Sequence, residues 1–203
     1  MTRSIAALAL AFSSIGVQAA LAPLPLWNAT FPGISGVEFN TVTGAAGTVA
    51  MGAHAYKNGV LLPNNGIDTY QGQSGIYAPD GLGRANWSFD FLYQINASCV
   101  GCQAFLRIDS DPSAAVSYVD VNLSALTGLS SYAESWNMKM SFLAPLGFDA
   151  FAASSTGFQL VIRDASGADA LASTITVNVP EPGTLALAGL ALAGLAALRR
   201  RPA

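Results

Sequence analysis

The chain has one histidine, His54, and two cysteines, Cys99 and Cys102, in 203 residues. A structural zinc site takes about four nitrogen or sulfur ligands, so this set is too small to build one. A Ser-His-Asp centre would have to use His54, which lies in the run Gly52-Ala53-His54-Ala55-Tyr56, and no Gly-x-Ser-x-Gly elbow occurs in the chain. Cations are scarce between residues 20 and 179, where Lys57, Arg84, Arg107, Lys139 and Arg163 face eleven carboxylates. Nucleic acid needs a basic footprint, so it is excluded as a partner. No repeat of a solenoid-like period is present. No catalytic signature stands out, and the chain reads as a non-enzyme without a cofactor.

What is present begins with the two ends. Arg3, the apolar stretch from Ile5 to Phe12 and the small residues around Val17-Gln18-Ala19 form the charged, apolar and cleavage regions of a secretory signal peptide. Cleavage after Ala19 places Val17 and Ala19 at −3 and −1. The expected organisation is a signal peptide over 1–19, a secreted domain over 20–179 and a sorting tail over 180–203.

The tail opens with Pro180, Glu181 and Pro182. Prolines cannot continue a helix or a central strand, so they end what precedes them. An apolar run from Thr184 to Leu198 follows, built almost wholly of Leu, Ala and Gly, and then Arg199, Arg200 and Arg201. Its 15 residues would span roughly 22 Å as a helix. A hydrocarbon core is about 30 Å thick, so the run is short for a span unless arginine stems snorkel and the bilayer thins. The arginine plug keeps the C-terminus in the cytoplasm and the bulk outside. Every face of the run is apolar, which argues for lipid around it rather than a protein core.

This order of parts, VPEPGTLALAGLALAGLAALRRRPA, resembles the PEP-CTERM sorting signal of Gram-negative bacteria. The resemblance covers about 25 residues. It implies processing by an exosortase, a membrane-embedded enzyme of cysteine-transpeptidase type. It also implies transient attachment to the inner membrane, and a host that makes exopolysaccharide and biofilm. Pro180, Glu181 and Pro182 would then be a recognition site for another enzyme, and Arg199, Arg200 and Arg201 the basic plug of the anchor.

Between the ends, apolar residues recur with period two. Trp87, Phe89, Phe91, Tyr93 and Ile95 alternate with Ser88, Asp90, Leu92 and Gln94. Similar alternation runs over 136–142, 158–163 and 174–179, and 37–43, 48–56, 104–109 and 116–123 are further strand candidates. Turn formers separate them, and Asp164-Ala165-Ser166-Gly167 reads as a hairpin turn. Segments 124–134 and 144–156 read as loops or one short helix. The expected fold is all-β, an antiparallel β-sandwich of immunoglobulin-like or jelly-roll type, flanked by an N-terminal signal helix and a C-terminal transmembrane helix.

Cys99 and Cys102 in an exported chain point to a disulfide, expected to staple the connection of a hairpin between the strands on either side. Asp109-Ser110-Asp111 is a candidate calcium site, although two carboxylates before Pro112 also suit an ordinary Asx turn. Tyr70 and Tyr77, in the turn-rich segment 68–84, are candidate sugar-stacking residues. The leading expectation is a structural or adhesive protein of the cell surface or an exopolysaccharide matrix. The alternatives are a lectin-like carbohydrate-binding module and a secreted hydrolase, for which Asp109, Asp111 and Asp120 are the available carboxylates.

Overall fold

The computed structural model describes residues 20–31, 34–57, 61–109, 111, 116–181 and 183. The signal peptide with Ala19, Pro182, the apolar run and Arg199, Arg200 and Arg201 lie outside the described residues.

In chain order the elements are β1 (Ala22–Pro23), α1 (Pro25–Thr30), β2 (Glu38–Gly44), β3 (Gly47–Ala55), β4 (Thr69–Gln71), β5 (Trp87–Ile95), β6 (Gln103–Asp109), β7 (Val119–Asn122), α2 (Leu123–Thr127), β8 (Ser131–Trp136), β9 (Ser154–Arg163) and β10 (Asp169–Val179). They form two five-stranded sheets, ordered β1-β2-β3-β5-β8 and β4-β10-β9-β6-β7. The fold is thus mostly β, in two sheets, as the alternation predicts. One edge departs from an antiparallel pattern, because β4 runs parallel to β10.

The inward faces share one core. Met51, Ala53, Trp87, Phe89, Phe91 and Tyr93 come from the first sheet, and Leu106, Ile108, Phe158, Leu160, Ile162, Ile175 and Val177 from the second. Phe89 of one sheet stacks on Phe158 of the other with ring centroids 4.3 Å apart. Such a pair contributes about 1 kcal/mol beyond its buried area. The β2–β3 hairpin requires Gly47, whose φ is +147° and where a Cβ would overlap the Gln94 carbonyl oxygen.

The other face of the first sheet is also covered. Trp27, Val37, Phe39, Ala50 and Leu92 form a second small core, with Leu24, Phe31 and Ile34 packed against it. The N-terminal segment with α1 therefore caps the face on which the alternation would leave Leu92 toward solvent.

Two expected strand arrangements change. The alternation over 136–142 is not a strand. β8 ends at Trp136, and a 3-10 helix occupies Ser141–Leu146. Asn137 is the cause, since its buried side chain accepts from Ala85 N–H at 2.9 Å and donates to the carbonyls of Ala85 at 3.0 Å and Trp87 at 2.7 Å. Its Oδ1 also accepts from the Lys139 N–H at 3.1 Å, which turns the chain. The second change concerns β5 and β6, which are not a hairpin. β5 already pairs with β3 and β8 on its two edges, so the chain from 96 to 102 arches across to the second sheet.

Candidate functional site

β10 lies between β4 and β9, and it leads straight into the tail. Its last pair is Val179 with Ser154, and Val179 is buried. Asn178 holds this end down, accepting from the Gly72 N–H at its carbonyl and from the Ser155 hydroxyl at its Oδ1, both at 2.8 Å. Pro180 and Glu181 follow at once and are exposed. The core thus ends one residue before the Pro-Glu-Pro sequence begins.

The pole from which the tail leaves is built from the loops at the Trp87 end of the first sheet. The chain from 75 to 86 folds back on itself, with Tyr77 N–H donating to Arg84 O at 2.8 Å and Gly75 N–H donating to Ala150 O. Arg84 Nη1 donates to Lys139 O at 2.6 Å, tying this loop to the segment after β8. Tyr77 lies here, edge-on to Tyr56 with centroids 5.6 Å apart. Lys57 reaches Asp80 at 3.2 Å. The Leu82 backbone N–H holds the Asp80 carboxyl below its ordinary value, with help from Lys57.

Tyr70 is not at this surface. It is 1% exposed, packed in the main core, and its hydroxyl donates to the Glu38 carbonyl. Burial, and then the charges of Asp90, Glu38 and Asp68, push its phenol well above the usual range. It cannot serve as a sugar platform, because its ring has no free face. The sequence around it is turn-rich, and only the parallel pairing of β4 with β10 takes it inside.

The opposite pole carries the cysteines. Cys99 and Cys102 are joined in a disulfide with Cα atoms 5.5 Å apart. The bridge lies in the inter-sheet arch, not in a hairpin. Asn96 fixes the arch to the β2–β3 turn, with its N–H on Ala46 O at 3.0 Å and its Nδ2 on Ala45 O at 3.0 Å. Beside the bridge is an open cleft of about 440 Å³, lined among others by Ile95, Asn96, Cys99, Cys102, Gln103, Ser124 and Ser130. No spacing in the sequence marks it, since it joins the arch to the segment between α2 and β8.

Asp109 ends β6, and its Oδ1 accepts from the Asp111 N–H at 3.2 Å, the geometry of an Asx turn. Among the described residues no group of three or more His, Cys, Asp or Glu is arranged to hold a metal. His54 meets a carboxylate that no sequence spacing assigns to it. Its Nδ1 is 2.7 Å from Asp90 Oδ2, with His54 6% and Asp90 0% exposed. Ser88 stands opposite His54 in the β3–β5 ladder, but it is buried and its Oγ accepts from Asn137 Nδ2 at 3.3 Å. Burial keeps a substrate from reaching these three groups, and the pair acts within the fold.

The outer face of the second sheet carries an alternating ion network. Arg107 binds Asp169 with two bonds, at 2.7 and 3.1 Å, and Arg163 reaches Asp120 at 2.7 Å and Asp169 at 3.1 Å. Arg163 also lies over the Phe105 ring at 4.3 Å. Val161, which alternates with Gln159 and Arg163 along β9, is fully buried on this same outer face.

The PEP-CTERM protein-sorting motif matches residues 178–201. The motif implies export, a membrane-anchored precursor and processing by an exosortase. No curated protein matches the chain. Among solved structures, the chain is similar to the crystal structure of the PmoD soluble domain from Methylocystis sp. ATCC 49242 (Rockwell). That likeness has 10% identity and a TM-score of 0.35, and it covers 69% of this chain and 96% of that one. It is too slight to bear on fold type or function. Among the described residues no helix is long and apolar enough to cross a membrane, and the run from 184 to 198 lies outside them.

Proposed function

We propose that this chain, which carries a PEP-CTERM sorting motif, is exported, held briefly in the inner membrane by its tail, and delivered to the cell surface or extracellular matrix. The organisation behind this is a signal peptide over 1–19, a domain over 20–179 and a sorting signal over 180–203. Its role there is structural or adhesive within an exopolysaccharide-rich coat. One observation carries the reading: the last core residue, Val179, directly precedes Pro180. Among the described residues neither core uses anything after Val179, so a cut at or after Pro180 leaves the packing of the sandwich whole. The ion network supports a passive surface role, because its charges on the outer face of the second sheet are paired with one another.

Replacing Pro180, Glu181 and Pro182 with alanine should leave the protein in the membrane fraction of the producing cell. Release into the medium at the unaltered rate rejects the proposal. A sugar-stacking role draws less support, since of the two tyrosines only Tyr77 is near the surface and its ring is already paired with Tyr56.

A further inference from the structure

We infer that the pole from which the tail leaves lies on the lipid surface while the precursor is anchored, with Phe142, Phe151 and Leu82 among the headgroups. The inference rests on the anchored-precursor reading and adds a contact surface to it. The tether is short. Four residues, 180–183, separate Val179 from the start of the apolar run. At about 3.5 Å per residue the chain reaches no more than roughly 17 Å between them. The headgroup layer takes up several ångströms of that. The loops that project from this pole are thus held within reach of the bilayer.

Those loops have the surface that such a contact calls for. Phe142 is 56%, Phe151 60% and Leu82 58% exposed, and Ile76 beside them is 38% exposed. Both exposed phenylalanines of the described residues are at this pole. Phe142 leans edge-on against Trp136 at 4.8 Å, and the Phe151 ring lies close enough to Gly75 that a Cβ there would touch it at 3.7 Å. Each ring is therefore braced from behind rather than loose on a tip. Three of the five cations between residues 20 and 179, Lys57, Arg84 and Lys139, are on the same loops. Asp80, Asp149, Asp109, Asp111 and the exposed Glu181 are at this end too; Asp80 is engaged by Lys57, Asp149 accepts from the Phe151 N–H and Asp109 from the Asp111 N–H. The charges here are mixed in sign, and it is the exposed apolar side chains that suit burial at the headgroup boundary of a bilayer. The occupant is a bilayer because the tail delivers one to this pole. The disulfide pole, with its cleft, then points away from the membrane.

The test uses the full-length chain in vesicles of phosphatidylethanolamine and phosphatidylglycerol, with hydrogen exchange read by mass spectrometry. The comparison is a variant with twenty Gly and Ser residues inserted after Val179, which leaves every residue of the sandwich unaltered. Amides of 76–85 and 139–152 should exchange at least threefold more slowly in the short-tethered chain. Amides of 96–103 and 124–130, at the other pole, should not differ. The double substitution F142S and F151S should abolish the slowing while the chain still resists carbonate extraction. Equal rates in the short and long tethers overturn the inference. Slowing seen only when an exosortase is co-reconstituted also overturns it, by assigning the pole to a protein partner. Extraction of the full chain by carbonate sinks the anchor reading separately. In that case slowing that still depends on added vesicles supports the contact, and none overturns it.

Discussion

Asn137 and the His54–Asp90 pair show how single side chains decide what pattern leaves open. Asn137 interrupts a run that alternates like a strand, because its amide satisfies backbone groups of Ala85 and Trp87 that would otherwise be stranded at the sheet end. Nothing in its sequence neighbourhood announces this, since its partners lie about fifty residues away. His54 likewise has ordinary neighbours in the chain, and Asp90 stands on the solvent-facing half of an alternation. Both are buried at 2.7 Å from each other, because the second small core covers that face of the first sheet. His54→Ala would leave a buried carboxylate without its donor. It should lower stability by about 3 kcal/mol in urea unfolding. A loss under about 1 kcal/mol would mean that water replaces the imidazole and that the pair is not a structural one. Asn28, Asn86, Asn96 and Asn122, each two residues before a Ser or Thr in the sequence, make a related point, as each holds a loop or cap through its side-chain amide.

At the scale of elements, the β9–β10 hairpin is the clearest in the sequence, and it forms as its pattern predicts. Two alternating strands flank a turn whose chemistry is local. Asp164 Oδ1 accepts from the Ser166 hydroxyl at 2.6 Å and from the N–H groups of Ser166 at 2.8 Å and Ala168 at 3.1 Å. The Ser166 hydroxyl, and then the backbone N–H groups, hold the Asp164 carboxyl below its ordinary value. A lowered folded value means that the turn gains stability above the unfolded pKa of about 4 and loses it as pH falls through the lower folded one. The amide signals of Ser166 and Ala168 should therefore titrate with a midpoint below about 4, and Asp164→Asn should remove the titration. A midpoint at or above the free carboxylate value would refute this. The β5–β6 connection departs from the expected hairpin because strand pattern does not say which edge a strand will find. Both edges of β5 are taken by β3 and β8, strands that lie far off in sequence.

For the whole molecule, the placement of β10 matters most. It is an interior strand of the second sheet, yet it is also the last strand before the tail. Sorting and folding thus meet at Val179. A chain stopped after Val179 keeps Ile175, Val177 and Val179 in the core and should unfold in one cooperative urea transition followed by tryptophan fluorescence. A chain stopped after Ser173 loses all three, together with most of the pairing of β4 and β9, and should show no such transition. Folding of the shorter chain would mean that β10 is dispensable and that the junction has no structural meaning. The same placement sets the two poles, one at the tether and one at the disulfide.

Sequence by itself determined the sorting motif at the C-terminal end, the β class and the one local hairpin, since each of these depends on neighbours in the chain: proline before an apolar run, a period of two, an aspartate beside serine and glycine. The tertiary structure alone decided that Tyr70 is buried, that His54 meets Asp90, that the cysteines bridge an arch and that the tail leaves from the pole bearing Phe142 and Phe151. Those facts depend on which strands pair and which faces are covered. Pairing is chosen by contacts between distant segments, and a linear pattern carries no record of them.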